Sequence, residues 1–298
     1  MLKKVFYSFF LKNNNKLKNC FSRCFTLGEI MITLSILGII STLCISNGYR
    51  YYQKTVMLAR LKEAYNMLFQ MTEVSRTDHS GKVPTGANSE SDWNNYVKPY
   101  LNIIHDCGGG NSHDFTCFAG PHGDWYKSNG NTFSYDDGGY TPKKFHKAIL
   151  SNGMSIAFQS CATCMGLHNI FVVDIDGPQH GYSRLGSDVF VFEWARVNTD
   201  NDPHNWCHFN RIIKTPELMP YASACKHWQH GGFNTNYVTN ANEGADKMCL
   251  GTSTWSTGEM WVGIGTTCAA WIASNGWKLP ENYPLTTFSQ KPAGFKRP

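Results

Sequence analysis

Charged residues are sparse in this 298-residue chain, at 16% of the sequence, and its first part has no acidic residue at all. Residues 1–24 contain six basic residues and no Asp or Glu: Lys3, Lys4, Lys12, Lys16, Lys18 and Arg23. Removing these six from the 27 basic residues of the chain leaves 21, against 22 acidic ones, so the rest of the chain is close to neutral. This balance gives no general attraction for nucleic acid, which we therefore do not expect as a partner.

Proline is absent between Phe25 and Pro84, so nothing in this stretch forbids a long helix. Tyr51, Leu58 and Tyr65 recur every seven residues, with Leu61 and Leu68 interleaved, which gives an apolar stripe. We predict one helix over 25–76, about 78 Å long at 1.5 Å per residue. A simple anchor joined to a separate domain helix is the alternative.

The first half of this stretch has no charged residue from Ile30 to Tyr49. Roughly 20 apolar residues are the length that crosses a bilayer core, so we predict that 25–49 is transmembrane, or lies in the core of a filament. The basic leader should remain in the cytoplasm, which sends the C-terminal body outward. An ordinary cleaved signal peptide is the other explanation, and it gives no role to Glu29.

The segment Cys24-Phe25-Thr26-Leu27-Gly28-Glu29 resembles the processing site of type IV prepilins and type II secretion pseudopilins. The resemblance implies cleavage between Cys24 and Phe25, N-methylation of Phe25, and assembly through Glu29, the fifth residue of the mature chain. The carboxylate would neutralise the Phe25 amine of a neighbouring subunit, which fixes the register of assembly. The chain departs from the family at Cys24, where Gly is usual, and at Gly28, which is commonly a larger apolar residue.

This resemblance also implies a fold. It is α+β and pilin-like: a long N-terminal helix, its first half transmembrane, packs on an antiparallel β-sheet with a loop-rich, disulfide-bonded extension. The expected organisation is a leader at 1–24, the helix at 25–76 and an extracytoplasmic domain at 80–298, with the sheet near 144–195. Within that sheet, Asn152-Gly153 lies between two strand-like runs and predicts a hairpin.

Partners and location follow from the same resemblance. The implied partners are a prepilin peptidase that also methylates, other pilin or pseudopilin subunits, and an assembly platform of the inner membrane. The implied location is the bacterial inner membrane before assembly, as a single-pass protein with its C-terminal domain outside the cytoplasm. After assembly it is a filament in the periplasm or at the cell surface.

The body contains eight cysteines, an even count that predicts up to four disulfides in an exported domain. These candidates are Cys107, Cys117, Cys161, Cys164, Cys207, Cys225, Cys249 and Cys268. The spacing Cys161-x-x-Cys164 also matches a thioredoxin-type motif or half of a zinc site. The other half could come from His204, Cys207 and His208, or from His227 and His230, so both alternatives stay open.

Three carboxylates flank the loop DIDGPQHGYSRLGSD, namely Asp174, Asp176 and Asp188. Some pseudopilins hold calcium in a loop of their C-terminal sheet, so the resemblance makes calcium a possible ligand of these residues. Calcium takes six to eight oxygen ligands, which carboxylates and loop carbonyls could supply. A plain hairpin loop is the alternative, because Asp and Gly are ordinary turn residues.

The sequence shows no Ser/His/Asp or glycosidase-like arrangement, and we predict that the chain is not an enzyme. The expected function is that of a structural subunit of a type IV pilus or type II secretion filament. A filament-tip adhesin that binds a ligand through its tryptophan-rich body is the first alternative. An anchored, exported enzyme is the second.

Overall fold

The computed structural model describes part of the chain. The described residues are 26–86, 88–109, 116–120, 123–132, 145–160, 169–195, 207–209, 216–220, 225–228, 249–250, 265–288 and 290–292. Cys24, Phe25 and Cys161-x-x-Cys164 lie outside these ranges. The chain divides into two compact units, Met1–Gln53 and Lys54–Pro298.

Helix α1 spans Leu27–Asp78, a continuous run of 52 residues that contains no proline. Arg76 lies in its last turn, where a positive charge interacts favourably with the negative end of the helix dipole. The chain then leaves the helix through Gly81, whose φ of +83° belongs to the left-handed region that glycine tolerates best. The amide of Gly81 donates to the carbonyl of Arg76 at 2.7 Å and closes the helix end.

The buried stripe of α1 repeats every three or four residues. It consists of Met57, Leu61, Ala64, Leu68 and Met71, all buried in the core. The predicted stripe was confirmed at Leu61 and Leu68 and was wrong at Tyr51, because 74% of Tyr51 is exposed. Leu58 and Tyr65 lie at the margin of the core rather than in its centre. The small Ala64 and flexible methionines of the true stripe make it less visible in the sequence than a run of leucines.

Among the helices formed by the described residues, none is long and apolar enough to cross a membrane. The exposed apolar side chains that the structure describes in the first part of α1 include those from Leu27 to Ile40. Thr33 and Ser35 interrupt them, and each donates its hydroxyl to a carbonyl of the preceding helical turn.

These findings correct three linked predictions. The transmembrane span at 25–49 is wrong, and so is the single-pass inner-membrane location that depended on it. The pilin-like fold class with a transmembrane first half is wrong for the same reason. The described residues instead form eight β-strands together with α1 and three short α-helices: α2 (Ser89–Asp92), α3 (Cys268–Ser274) and α4 (Leu285–Phe288).

The main sheet has six antiparallel strands in the order β1-β2-β3-β4-β5-β7. They are β1 (Ile103–Gly108), β2 (His146–Leu150), β3 (Ser155–Ser160), β4 (Asn169–Asp174), β5 (Val189–Ala195) and β7 (Glu217–Pro220). The turn between β2 and β3 passes through Gly153 at φ +83°. Two further strands, β6 (Cys207–Phe209) and β8 (Cys225–Trp228), pair with each other in a separate small sheet.

Both faces of the central strands are buried, which explains why β3, β4 and β5 have almost no exposed residue. One face carries Ile156, Phe158, Phe171, Phe190 and Phe192, which join the buried stripe of α1 in a single core. The opposite face carries small and branched side chains, together with one buried lysine: Lys147, Ala157, Ile170, Val172 and Val191. Phe118 and Trp125 lie beside this lysine, so residues of 116–120 and 123–132 cover that face in part.

Candidate functional site

The start of α1 is fixed by a reciprocal pair of side chains. The backbone N–H of Thr26 donates to Oε2 of Glu29 at 2.8 Å, and the Thr26 hydroxyl donates to the same oxygen at 3.0 Å. In return, the backbone N–H of Glu29 lies 3.2 Å from the Thr26 hydroxyl oxygen. This is a capping box, in which two residues three apart satisfy amides that the first helical turn leaves unpaired. The capping spacing Thr26-x-x-Glu29 is visible in the sequence, although there it was interpreted only through the resemblance to prepilins.

Glu29 is exposed, and the hydrogen bonds of the capping box stabilise its negative charge. The backbone N–H of Thr26, and then its hydroxyl, lower the pKa of the Glu29 carboxyl below its ordinary value. The dipole of α1 favours a negative charge at the same place. The carboxylate therefore remains ionised at neutral pH at the start of an apolar helix.

The helix that follows exposes apolar side chains on all its sides. Between 44% and 77% of each remains accessible at nine positions: Leu27, Ile30, Met31, Ile32, Leu34, Ile36, Leu37, Ile39 and Ile40. Consecutive positions are exposed alike, so this is no amphipathic helix with one buried stripe. Monomeric proteins rarely leave such a continuous apolar surface open, and one of this size marks an interaction site.

A second candidate site is the loop between β4 and β5. Asp174 accepts a hydrogen bond from the Gly177 amide at 2.9 Å and another from the Ser183 hydroxyl at 2.5 Å. Asp188 accepts from the amide of Tyr182 at 2.9 Å and from that of Arg184 at 2.5 Å. Protein donors thus already hold two of the three carboxylates predicted to bind calcium.

The carboxylates of Asp176 and Asp188 both lie close to Gly181. A Cβ at Gly181 would lie 2.1 Å from Oδ2 of Asp188 and 3.0 Å from Oδ2 of Asp176, so only glycine fits between them. Its φ of +67° also favours glycine. Oδ1 of Asp176 is buried and accepts no hydrogen bond from a protein donor. The loop therefore gathers carboxylates at short range without a matching set of donors.

Burial raises the pKa of all three carboxyls. The pKa of Asp174 lies well above its ordinary value because of burial and then of repulsion from Asp176 and Asp188. Burial and then repulsion from Asp176 raise the pKa of Asp188 to about 7, against the opposing effect of its amide donors. The pKa of Asp176 is raised by burial as well. The cluster consequently retains protons near neutral pH.

In the part of the chain that the structure describes, no group of three or more His, Cys, Asp or Glu side chains has the geometry to hold a metal ion. As arranged, Asp174 and Asp188 direct their oxygens at N–H and O–H donors of their own loop. A calcium ion would have to displace some of these donors to collect the six or more oxygens that it takes. Calcium therefore stays a prediction from the sequence.

The cysteines form two disulfides among the described residues. Cys107 pairs with Cys117, and Cys249 pairs with Cys268. The side chains of Cys207 and Cys225 are not described, although the register of β6 and β8 places Cys225 opposite Phe209 and His208 opposite His227. The zinc and redox alternatives, which need Cys161 and Cys164, lie outside the described residues.

Three tryptophans of the described body are core residues, and Trp277 is only partly buried. Trp93, Trp125 and Trp194 are fully buried in the interior, where they pack against other core side chains. A polar cavity of about 610 Å³ does lie beside Trp93, lined in part by Glu90, Lys98, Asp106 and His146. Burial lowers the pKa of His146 there, so its ring is neutral at neutral pH. The residues that meet at this cavity are far apart in the chain, which hid it from sequence analysis.

Comparison with known proteins adds no relative. No family model, no curated protein and no solved structure matches this chain. The likeness to prepilins consequently rests on the residues around Phe25 and Glu29 and on the apolar run behind them.

Proposed function

We propose that the chain is a structural subunit of a type IV pilus or type II secretion filament, and that it polymerises through the first part of α1 after residues 1–24 are removed. The observation that carries the proposal is the all-round exposure of apolar side chains from Leu27 to Ile40. Such a surface needs apolar partners, and the same segment of neighbouring copies offers them. Burying one Leu or Ile side chain contributes roughly 1.5–3 kcal/mol, so a helix with many of them has ample driving force to associate.

The proposal requires a contact that repeats along a filament. Head-to-tail contacts between unlike surfaces of identical subunits give open filaments when the rotation between neighbours does not close a ring. Apolar contacts alone do not fix the relative position of two helices along their length, because they are non-directional. A charged group within the apolar surface supplies the missing register, since an unpaired charge in that interface is costly.

Glu29 is the charged group in question. Cleavage before Phe25 would create a positive α-amine four residues ahead of Glu29, at the same end of the helix. In the proposed filament, the Glu29 carboxylate of one subunit pairs with that amine of its neighbour. The capping box supports this role, because it holds the carboxylate at the helix start and keeps it ionised.

A single substitution separates the charge of Glu29 from its capping role. Glu29→Gln keeps a side-chain oxygen that can accept from the Thr26 amide, and glutamine is a normal member of a capping box. Only the negative charge is lost. We expect the mature wild-type chain, beginning at Phe25, to form filaments visible by negative-stain electron microscopy, whereas Glu29→Gln leaves most of the chain unassembled.

Glu281→Gln is the matched control, because Glu281 is an exposed glutamate in the body and its loss should leave assembly unchanged. N-terminal sequencing of the exported chain should begin Phe-Thr-Leu-Gly-Glu. Glu29→Gln filaments as abundant as those of the wild type would refute the pairing. A chain that stays unassembled yet binds a ligand saturably would favour the tip adhesin instead.

A further inference from the structure

A lysine and an aspartate lie buried together beneath the second face of the main sheet. Lys147 belongs to β2, and 0% of its side chain is exposed; the value for Asp124 is 6%. The ammonium nitrogen Nζ of Lys147 contacts Oδ1 of Asp124 and donates to the carbonyl oxygen of Gly123 at 2.8 Å. Lysine is almost never buried so completely unless it is paired.

The surroundings of this pair are apolar and aromatic. Lys147 Nζ lies 6.0 Å from the ring centre of Phe118 and 5.8 Å from that of Trp125, and both rings are fully buried. Trp125 in turn packs edge-on against Phe145. Charges cost much free energy in such a place, which disfavours the ammonium form of Lys147. Burial lowers the pKa of Lys147, against the opposing effect of Asp124.

We propose that Lys147 and Asp124 form an intramolecular isopeptide bond. The lone pair of the neutral Lys147 Nζ attacks Cγ of the protonated Asp124 carboxyl, and a new Nζ–Cγ bond forms. One Cγ–O bond then breaks, and its oxygen leaves as water with the acid proton and one amine hydrogen. No oxidant, reductant or further reactant is consumed, because an amine and an acid give an amide and one water.

Three features of the site favour this condensation. The fold holds the reacting groups in contact, so the reaction does not incur the entropy cost of a bimolecular encounter. The dry, aromatic surroundings lower the pKa of Lys147, which favours the neutral amine that reacts, and they disfavour the return of water. The Gly123 carbonyl holds one N–H of the amine, so the nitrogen is oriented as well as near.

The bond would join the segment around Asp124 covalently to a strand of the main sheet, 23 residues later in the chain. Such a link lowers the entropy of the unfolded chain as a disulfide does, but reductants do not break it. It is independent of the proposed filament, because no residue of α1 takes part.

Peptide mapping of the exported chain tests the proposal directly. After reduction, alkylation and tryptic digestion, an amide at Lys147 should block cleavage after that residue. A branched peptide, lighter by one water than its two linear parts, should carry fragment ions that place the bridge between Lys147 and Asp124. Complete cleavage after Lys147, with both linear peptides at their unmodified masses, would overturn the proposal.

Two variants and an internal control sharpen the result. Asp124→Asn should form the same bond with loss of ammonia instead of water, an outcome that a merely structural ion pair does not give. Lys147→Arg should give only linear peptides. Lys98 and Asp106 are the control, since their ion pair has a similarly short contact of 2.6 Å but side chains that are 46% and 30% exposed. A bridge found equally at Lys98 and Asp106 would show that burial is not the cause and would overturn the argument.

Discussion

Three aspartates of the β4–β5 loop are constrained both by their positions at the turn and by their burial beside one another. Asp174 ends β4, Asp176 follows it and Asp188 immediately precedes β5, as turn residues often do. Their packing also buries them beside one another, which raises their pKa values. Their grouping could be predicted from the sequence because they flank one turn. Their hydrogen-bond donors could not, since the amides of Tyr182 and Arg184 carry no sequence signal.

The raised pKa values predict that the loop destabilises the protein as pH rises. A folded acid with a raised pKa binds a proton that the unfolded chain has already released, so its stabilising effect is complete below the unfolded pKa near 4 and is lost as pH rises through about 7. Asp176→Asn removes the neighbouring charge that acts on Asp188. We expect this variant to gain on the order of 1–4 kcal/mol relative to the wild type between pH 4 and pH 8, measured by denaturant unfolding.

Glu281→Gln, on an exposed loop, should change the unfolding free energy little at any pH in this range. A constant difference between Asp176→Asn and the wild type from pH 4 to pH 8 would contradict the argument. Calcium provides a further comparison. If millimolar calcium raises the melting temperature of the wild type at pH 8 but not that of Asp176→Asn, the carboxylates bind the ion as the sequence suggested.

At the scale of elements, α1 is one helix with two chemically different parts. Its later part has the buried stripe of Leu61 and Leu68, and its earlier part is apolar on all sides. The helix and the hairpin at Asn152-Gly153 could be predicted, because proline spacing and turn chemistry are local signals. Leu61 and Leu68 of the buried stripe could be predicted as well, whereas Tyr51 was misassigned because an exposed tyrosine looks like a core residue in sequence.

Two leucine substitutions in α1 should therefore affect different properties: one should lower the stability of the monomer, and the other should reduce filament formation. Leu61 is 0% exposed, and Leu61→Ala should lower the free energy of unfolding by about 2–5 kcal/mol, as for other buried leucines. Leu34 is 62% exposed, and Leu34→Ala should change the stability of the monomer by less than about 0.5 kcal/mol. Filament formation should fall with Leu34→Ala, although its monomer is intact.

Unfolding curves of the monomers and sedimentation of the assembled fraction measure the two effects separately. Leu279, which lies at the margin of the core, offers an intermediate case for the unfolding measurement. If Leu34→Ala filaments form as readily as those of the wild type, the exposed part of α1 is not the contact surface. A large loss of monomer stability with Leu34→Ala would show that this surface is already covered within the chain.

At the scale of the whole molecule, covalent links supplement the core. Cys249–Cys268 is buried and ties residue 249 to the start of α3, which contacts β5. The even cysteine count predicted disulfides, but pairing depends on which segments meet in space and cannot be read from spacing. The buried partner of Lys147 is another long-range feature with no sequence signal, because Asp124 lies in an irregular segment.

Removing the buried disulfide should weaken the body without unfolding it. Cys249→Ala combined with Cys268→Ala should lower the free energy of unfolding by about 2–4 kcal/mol, because the unfolded chain regains the freedom of the closed loop. The same pair of changes at Cys107 and Cys117, which close a loop of only 10 residues, should cost less. Urea unfolding of both variants under oxidising conditions measures the difference, and an equal or reversed order would contradict the loop-length argument.

The glycine between two carboxylates has a consequence for how this sequence can change over generations. At Gly181 even a methyl group would collide with Asp188, and the positive φ penalises any other side chain. Substitution at this position is therefore excluded while Asp188 remains, and space for a side chain appears only after Asp188 has been replaced by a smaller residue. The order of permitted substitutions is fixed by geometry, so diverging descendants of this chain should lose the acid first and the glycine second.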